Sequence, residues 1–209
     1  MNYELVKVCG MRDADNIREV EKLGIDMMGF IFWPESKRYV SEPPGYLPTR
    51  CRRVGVFVDA LADDILRHVD AYRLDAVQLH GHESPRYIVS LRKRLLQRSP
   101  LFIKALNIAT ADDLDLTRQY GTLVDYFLFD TKGQQAGGNG TQFDWSVLGH
   151  YNGPVPFILS GGIGPGDAGR IHAFRHPRFR GVDLNSRFET APGLKDINKL
   201  KNFIHHEQD

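Results

Sequence analysis

Two side chains in this 209-residue sequence stand where proton transfer can be done: Cys9, closing Val6-Lys7-Val8-Cys9, and Asp130, closing Tyr126-Phe127-Leu128-Phe129-Asp130. A thiolate serves as nucleophile or general base, and a place just ahead of a helix start favours its ionised form. Taken alone, an unpaired cysteine reads equally as a small buried hydrophobe. A carboxyl at the edge of an apolar wall has its charged form disfavoured and can act as a general acid. Lys132, two residues on, pulls the other way, and a turn or N-cap aspartate is the plain alternative. The direction of any shift at Asp130 is open at this level.

Other groups fit binding. Gly161-Gly162, followed by Ile163-Gly164-Pro165-Gly166-Asp167 and a helical pattern, lets backbone N–H groups approach an anion closely, as in a phosphate cradle, and Asn185-Ser186 follow the next apolar run. Arg38 carries a planar fork suited to a carboxylate or phosphate. His80 and His82 have ligand-like separation, but no third histidine or carboxylate converges on them in sequence. His80 therefore reads as a hydrogen-bonding group and His82 as exposed, with no metal expected. Cys51, ahead of an apolar run in Arg50-Cys51-Arg52-Arg53, reads as structural, and His205-His206 as a solvated helix end.

The elements that must position these groups follow from short apolar runs rich in Val, Ile and Phe, the pattern of strands buried on both faces. Eight begin near Leu5, Met27, Val54, Ala76, Leu101, Tyr126, Pro156 and Gly181. Between most of them lie amphipathic helical patterns: Ala14, Ile17, Val20 and Leu23; Ala62, Ile65, Leu66, Val69 and Tyr72; a start at Ser84-Pro85; and a last stretch through Leu194, Ile197, Leu200 and Phe203. The expectation is a single (β/α)8 barrel over residues 1–209, with an open doubly wound sheet as the alternative. Four prolines in the segment from Pro34 to Arg50 predict that the second helix is short or missing. In a parallel barrel the reactive groups gather at the carboxyl ends of the strands. Those positions hold Cys9, Pro34 to Arg38, Asp59, Gln78 and His80, Lys104, Asp130, Ser160 to Gly162, and Asp183 with Asn185 and Ser186.

Composition narrows the partners. With 27 Lys plus Arg against 26 Asp plus Glu, the formal net charge of +1 provides no general field for nucleic acid or an anionic membrane. The start of the sequence reads as neither signal peptide nor membrane anchor. Two cysteines make no metal spacing and at most one disulfide, so a reducing cytoplasm is the expected home. Monomer and homodimer both fit.

The runs KVCGMRDADN, GFIFWPESKRYV, DAVQLHGHESP, FDTKG, GGNGTQFDWSVL, ILSGGIGPGDA and GVDLNSRFE resemble, in order and spacing, the phosphoribosylanthranilate isomerase family, from the first strand to the last helix. The resemblance implies a cofactor-free Amadori rearrangement in tryptophan biosynthesis, converting N-(5-phosphoribosyl)anthranilate to 1-(2-carboxyphenylamino)-1-deoxyribulose 5-phosphate. It implies Asp130 as general acid, Cys9 as general base, Arg38 against the anthranilate portion, and Gly161, Gly162, Asn185 and Ser186 around the phosphate. Asp183 and His80 match family pocket residues. Arg187 stands where the family commonly has glycine, either as an added phosphate contact or pointing to solvent. A metal-dependent sugar-phosphate epimerase would need convergent histidines and carboxylates. A purely binding barrel would lack one member of the acid and base pair, and both are present.

Overall fold

Short apolar runs without polar relief can be satisfied only where both faces of a strand are covered. Each of the eight expected runs is a strand in the computed structural model, which describes residues 4–131 and 144–206. They are β1 (Leu5–Cys9), β2 (Met27–Ile31), β3 (Arg52–Phe57), β4 (Ala76–Leu79), β5 (Leu101–Ile108), β6 (Tyr126–Thr131), β7 (Phe157–Leu159) and β8 (Phe179–Leu184). All pair in parallel in chain order, and β8 pairs with β1 to close a barrel.

Strand side chains alternate, so one parity faces the barrel axis and the other the surrounding helices. At the amino end of the strands the inner parity is apolar: Leu5, Met27, Val54, Ala76, Ile103, Leu128 and Ile158 form a cluster of their own. The outer parity, including Val8, Phe30, Phe57, Phe102, Phe127 and Val182, belongs to the larger core beneath the outer layer. Closure leaves no room at Gly181, where a Cβ would fall on the Leu5 carbonyl oxygen.

The covers are α1 (Ala14–Glu21), α2 (Ala62–Tyr72), α3 (Pro85–Arg94), α4 (Thr117–Tyr120), α5 (Ala168–Ala173) and α6 (Ile197–His206). Asp13 caps α1 by accepting from the Asn16 amide at 2.8 Å, and Ser84 caps α3 by accepting from Tyr87, with Pro85 in the first turn. The second helix is missing, as the prolines predict: residues 32–50 run as turns, with the Val40 amide bonded to the Ile31 carbonyl at 2.9 Å. Glu21 fastens this strap, accepting from the Tyr46 hydroxyl at 2.5 Å and from the Thr49 and Arg50 amides at 2.5 and 2.6 Å.

Abbreviation goes further than the sequence pattern indicates. Between β5 and β6 a 3-10 stretch (Ala111–Leu116) leads into the single turn of α4, and the described part of the β6–β7 connection holds only a 3-10 stretch, Trp145–His150. Leu194 does not open the last helix. It lies in β10 (Leu194–Lys195), antiparallel to β9 (Glu189–Ala191), because Asp196 ends the hairpin and α6 begins after it.

Gly181→Ala is expected to lower stability by about 3 kcal/mol in urea unfolding, since the obstructing atom is backbone and cannot step aside. Burial pushes the Glu21 carboxyl up, but the Tyr46 hydroxyl and the two amides outweigh it and hold it below the ordinary carboxylate range. The stabilisation from this carboxylate is therefore full at neutral pH and is lost as pH falls through its depressed value. Glu21→Gln should flatten that part of the acid unfolding profile.

Candidate active site

A cavity of about 710 Å³, including its open mouth, lies at the carboxyl ends of the strands. β1 lends it Cys9, the strap after β2 Arg38, β4 Gln78 with His80 just after it, and β6 Asp130. The end of β7 adds Gly161 and Gly162, and β8 with the residues after it adds Asp183, Asn185 and Ser186. Every binding or proton-transfer candidate chosen from the sequence is among them. Two other strand-end residues, Asp59 and Lys104, are engaged elsewhere. Asp59 accepts from the His82 amide at 2.6 Å, beside an exposed His82 ring, and Lys104 sits buried on the outer parity of β5, its Nζ 3.0 Å from Glu83 Oε2.

Cys9 is 3% exposed, with its sulfur fitted against Gly29, where a Cβ would come within 2.7 Å of Sγ. Burial pushes its thiol up, the nearby Lys7 and Lys195 ammonium groups pull it down, and Asp183 adds to the upward push; the net direction is up. Lys7 is itself fully buried and donates to Asp183 Oδ1 at 2.8 Å. Burial alone would lower its pKa, but Asp183 and Cys9 reverse the direction, so Lys7 stays charged. The Ser160 hydroxyl approaches the other Asp183 oxygen at 3.4 Å.

Asp130 stands on β6, separated from β1 by β7 and β8. Its Oδ1 accepts from the Thr131 amide at 2.8 Å, and His80 Nε2 lies 3.4 Å from Oδ2. The other ring nitrogen of His80 meets the Gln78 side-chain amide at 3.0 Å, which fixes the ring plane. Gly161 has φ +88°, and a Cβ there would sit 2.9 Å from Asp130 Oδ1, so only glycine lets the β7 turn close over the carboxyl. Lys132 and most of the glycine-rich run GGNGTQFDWSVL lie outside the described residues.

A polar cluster binds the mouth together. Glu189 grips one edge of the Arg38 fork, accepting from Nε at 2.8 and 3.1 Å and from Nη2 at 2.6 Å; the same carboxylate accepts from Lys195 Nζ at 2.6 Å. Lys195 also donates to Asn185 Oδ1 at 2.8 Å, so the β9–β10 hairpin ties Arg38 to the segment after β8. Glu189's hydrogen bonds keep the guanidinium charged against burial. Burial pushes the Glu189 carboxyl up, yet Arg38 and Lys195 hold it below its ordinary range. Burial also lowers Lys195, against the pull of Glu189. Gly10, at φ +79°, makes room, since a Cβ there would meet Arg38 Cδ at 2.5 Å.

Glu189 and Lys195 carry no local signal in the sequence: Glu189 only closes the run GVDLNSRFE, and Leu194, beside Lys195, continues the spacing of the last helix. Lys7 carried a clearer signal: a charged side chain on the inward parity of an otherwise apolar strand. Arg187 is exposed, its stem beside Gly164, where an added Cβ would meet Arg187 Cδ at 3.2 Å, next to the Gly161-Gly162 turn. At the other end of the barrel Cys51 lines an open hollow rimmed by charged residues, its thiol pushed up by burial to about 12, consistent with an inert structural group. Among the described residues no group of three or more His, Cys, Asp or Glu is arranged to hold a metal ion, and no helix is long and apolar enough to cross a membrane.

A family model described as N-(5'phosphoribosyl)anthranilate (PRA) isomerase matches residues 6–206. The N-(5'-phosphoribosyl)anthranilate isomerase of Parabacteroides distasonis is 50% identical over 206 residues, covering 96% of this chain and 91% of the relative. The crystal structure of the Thermotoga maritima phosphoribosyl anthranilate isomerase superposes with a TM-score of 0.79 at 31% identity, covering 98% of both chains. A crystal structure of a phosphoribosyl anthranilate isomerase in complex with reduced 1-(o-carboxyphenylamino)-1-deoxyribulose 5-phosphate matches with a TM-score of 0.77 at 30% identity, again over 98% of both chains. With a barrel of the same form and a family match spanning nearly its whole length, this chain belongs to the phosphoribosylanthranilate isomerase family.

Proposed function

We propose that the cavity carries out the Amadori rearrangement of N-(5-phosphoribosyl)anthranilate, with Asp130 as general acid and Cys9 as general base. The observation that carries this is the shared cavity: a carboxyl on β6 and a thiol on β1, with the Gly161-Gly162 turn and the Asn185-Ser186 segment on the two strands between them. A ribose with its phosphate seated at that turn presents its ring oxygen toward one group and its C2 toward the other.

The chemistry needs two proton transfers at different atoms. Asp130 gives a proton to the ring oxygen, the C1–O bond breaks, and the anthranilate nitrogen lone pair forms a C1=N bond. The Cys9 thiolate then takes the C2 proton. The C2–H electron pair forms C1=C2, and the C1=N electrons return to nitrogen, giving an enolamine. Loss of the C2 hydroxyl proton and protonation of C1 yield the ketone. His80, 3.4 Å from Asp130 and held by Gln78, orients the acid.

Glu189 occupies the Nε/Nη2 edge of Arg38, which leaves its outer edge for the anthranilate carboxylate. Asp183, beside Ser160, lines the floor of the substrate pocket. All named groups come from one chain, so either a monomer or a homodimer of the single domain, residues 1–209, suffices. The two cysteines are free, which fits a reducing cytoplasm.

Cys9→Ala and Asp130→Asn should each lower kcat by about three orders of magnitude or more while the reduced product analogue still binds. Full turnover by Cys9→Ala would remove the base assignment. Turnover of the parent protein should be unchanged by EDTA. Arg38→Met should raise KM for the carboxylated substrate about tenfold or more, as measured by the fluorescence loss of the anthranilate group, with a smaller effect on kcat.

A further inference from the structure

Lys7 is the least expected side chain inside the barrel. It lies in the middle of β1 with no exposed surface, paired in register with Asp183 of β8, and the two side chains meet at 2.8 Å. A buried ion pair is poor ground for stability, because desolvating two charges costs about what their attraction returns. Its position fits another use.

Strand alternation puts Lys7 and Cys9 on the same inward face, one step apart, so the ammonium that Asp183 fixes also bears electrostatically on the thiol. The charged groups around the sulfur come from several elements: Lys7 from β1, Asp183 from β8, Lys195 from β10 and Arg38 from the strap after β2, with Glu189 of β9 behind the last two, while β2 itself presents only Gly29. Three cations face two carboxylates. Asp130, the other carboxylate lining the cavity, stands across β7 and β8, so within this group beside the sulfur one negative charge is wanting, and a Cys9 thiolate supplies it. Burial opposes that thiolate, so a fixed cation on the same inward face is what the site needs to hold it.

Resting on the assignment of Cys9 as the base, we infer that Lys7 is a positioning residue for proton abstraction, its buried ammonium, fixed by Asp183 one step along β1 from the sulfur, holding the Cys9 thiolate at the substrate. The thiol gives its proton to solvent, the thiolate takes the C2 proton of the substrate, and Lys7 keeps its own proton throughout.

The test follows the ultraviolet absorbance of the thiolate against pH in a Cys51→Ala background, with the same chain carrying Cys9→Ala as the blank. Lys7→Met should move the Cys9 transition up by about one pH unit, a tenfold loss of thiolate at a fixed lower pH. The rising limb of kcat/KM should move with it, and rates should converge on the parent's at high pH. Because Lys7→Met leaves Asp183 without its partner, the combination Lys7→Met with Asp183→Asn is compared with Asp183→Asn alone, which removes both charges of the pair together. The same upward displacement is expected there. Unmoved transitions in that comparison overturn the inference while leaving the role of Cys9 intact. A rate lowered equally at every pH also overturns it, as a structural effect only. A displaced transition with an unmoved kcat/KM limb shows instead that Cys9 is not the base, and removes the reading on which the inference stands.

Discussion

Pairing of the first strand with the last is the constraint on which this molecule turns. β1 and β8 meet in a register that sets Lys7 beside Asp183 and lets the segment after β8, with Asn185, come over Gly10. Without that closure the barrel interior would hold an unpaired ammonium, and the cavity would lose the side between Cys9 and the Gly161-Gly162 turn. The close approach is possible because Gly181 carries no side chain against Leu5. A buried charge, a bare backbone contact and the shape of the substrate cavity are thus consequences of a single strand pairing.

Around that closure the interior changes character along its axis. The amino end is filled by apolar side chains from seven of the strands and behaves as a packed plug. One step further along the same inward parity the residues become Lys7, Gln78, Asp130, Ser160 and Asp183, and the cavity begins. The polar groups there are already engaged with one another: lysine with aspartate, histidine with glutamine, arginine and lysine with one glutamate. Such prior engagement fixes the donors before a ligand arrives and reduces the reorganisation that binding or proton transfer requires.

How much of this was legible in the sequence depended on the range of the interaction. The eight strands were readable because burial on both faces imposes its pattern within a few residues, and the missing second helix because proline acts on its own backbone. Cys9, Asp130, Arg38, His80 and the glycine pair could be chosen because the carboxyl end of a strand is a local property and the fold turns it into a common rim. Glu189 and Lys195 could not, since their role is created by a hairpin whose apolar residue, Leu194, continues the spacing of the helix that follows. Lys7 was readable in principle: the alternation that places Leu5 and Cys9 inward places it there too. Reading the strand ends alone passes over its middle.

The Lys7–Asp183 pair also bears on how the chain is made. The lysine leaves the ribosome with the first strand, and its counter-ion is not synthesised until the last one, 176 positions later. Every nascent fragment that stops short of β8 must therefore keep that ammonium in water or bury it uncompensated. The barrel interior is in this sense sealed by its final strand, and co-translational folding can advance the outer helices and the apolar plug well before it completes the chamber above them.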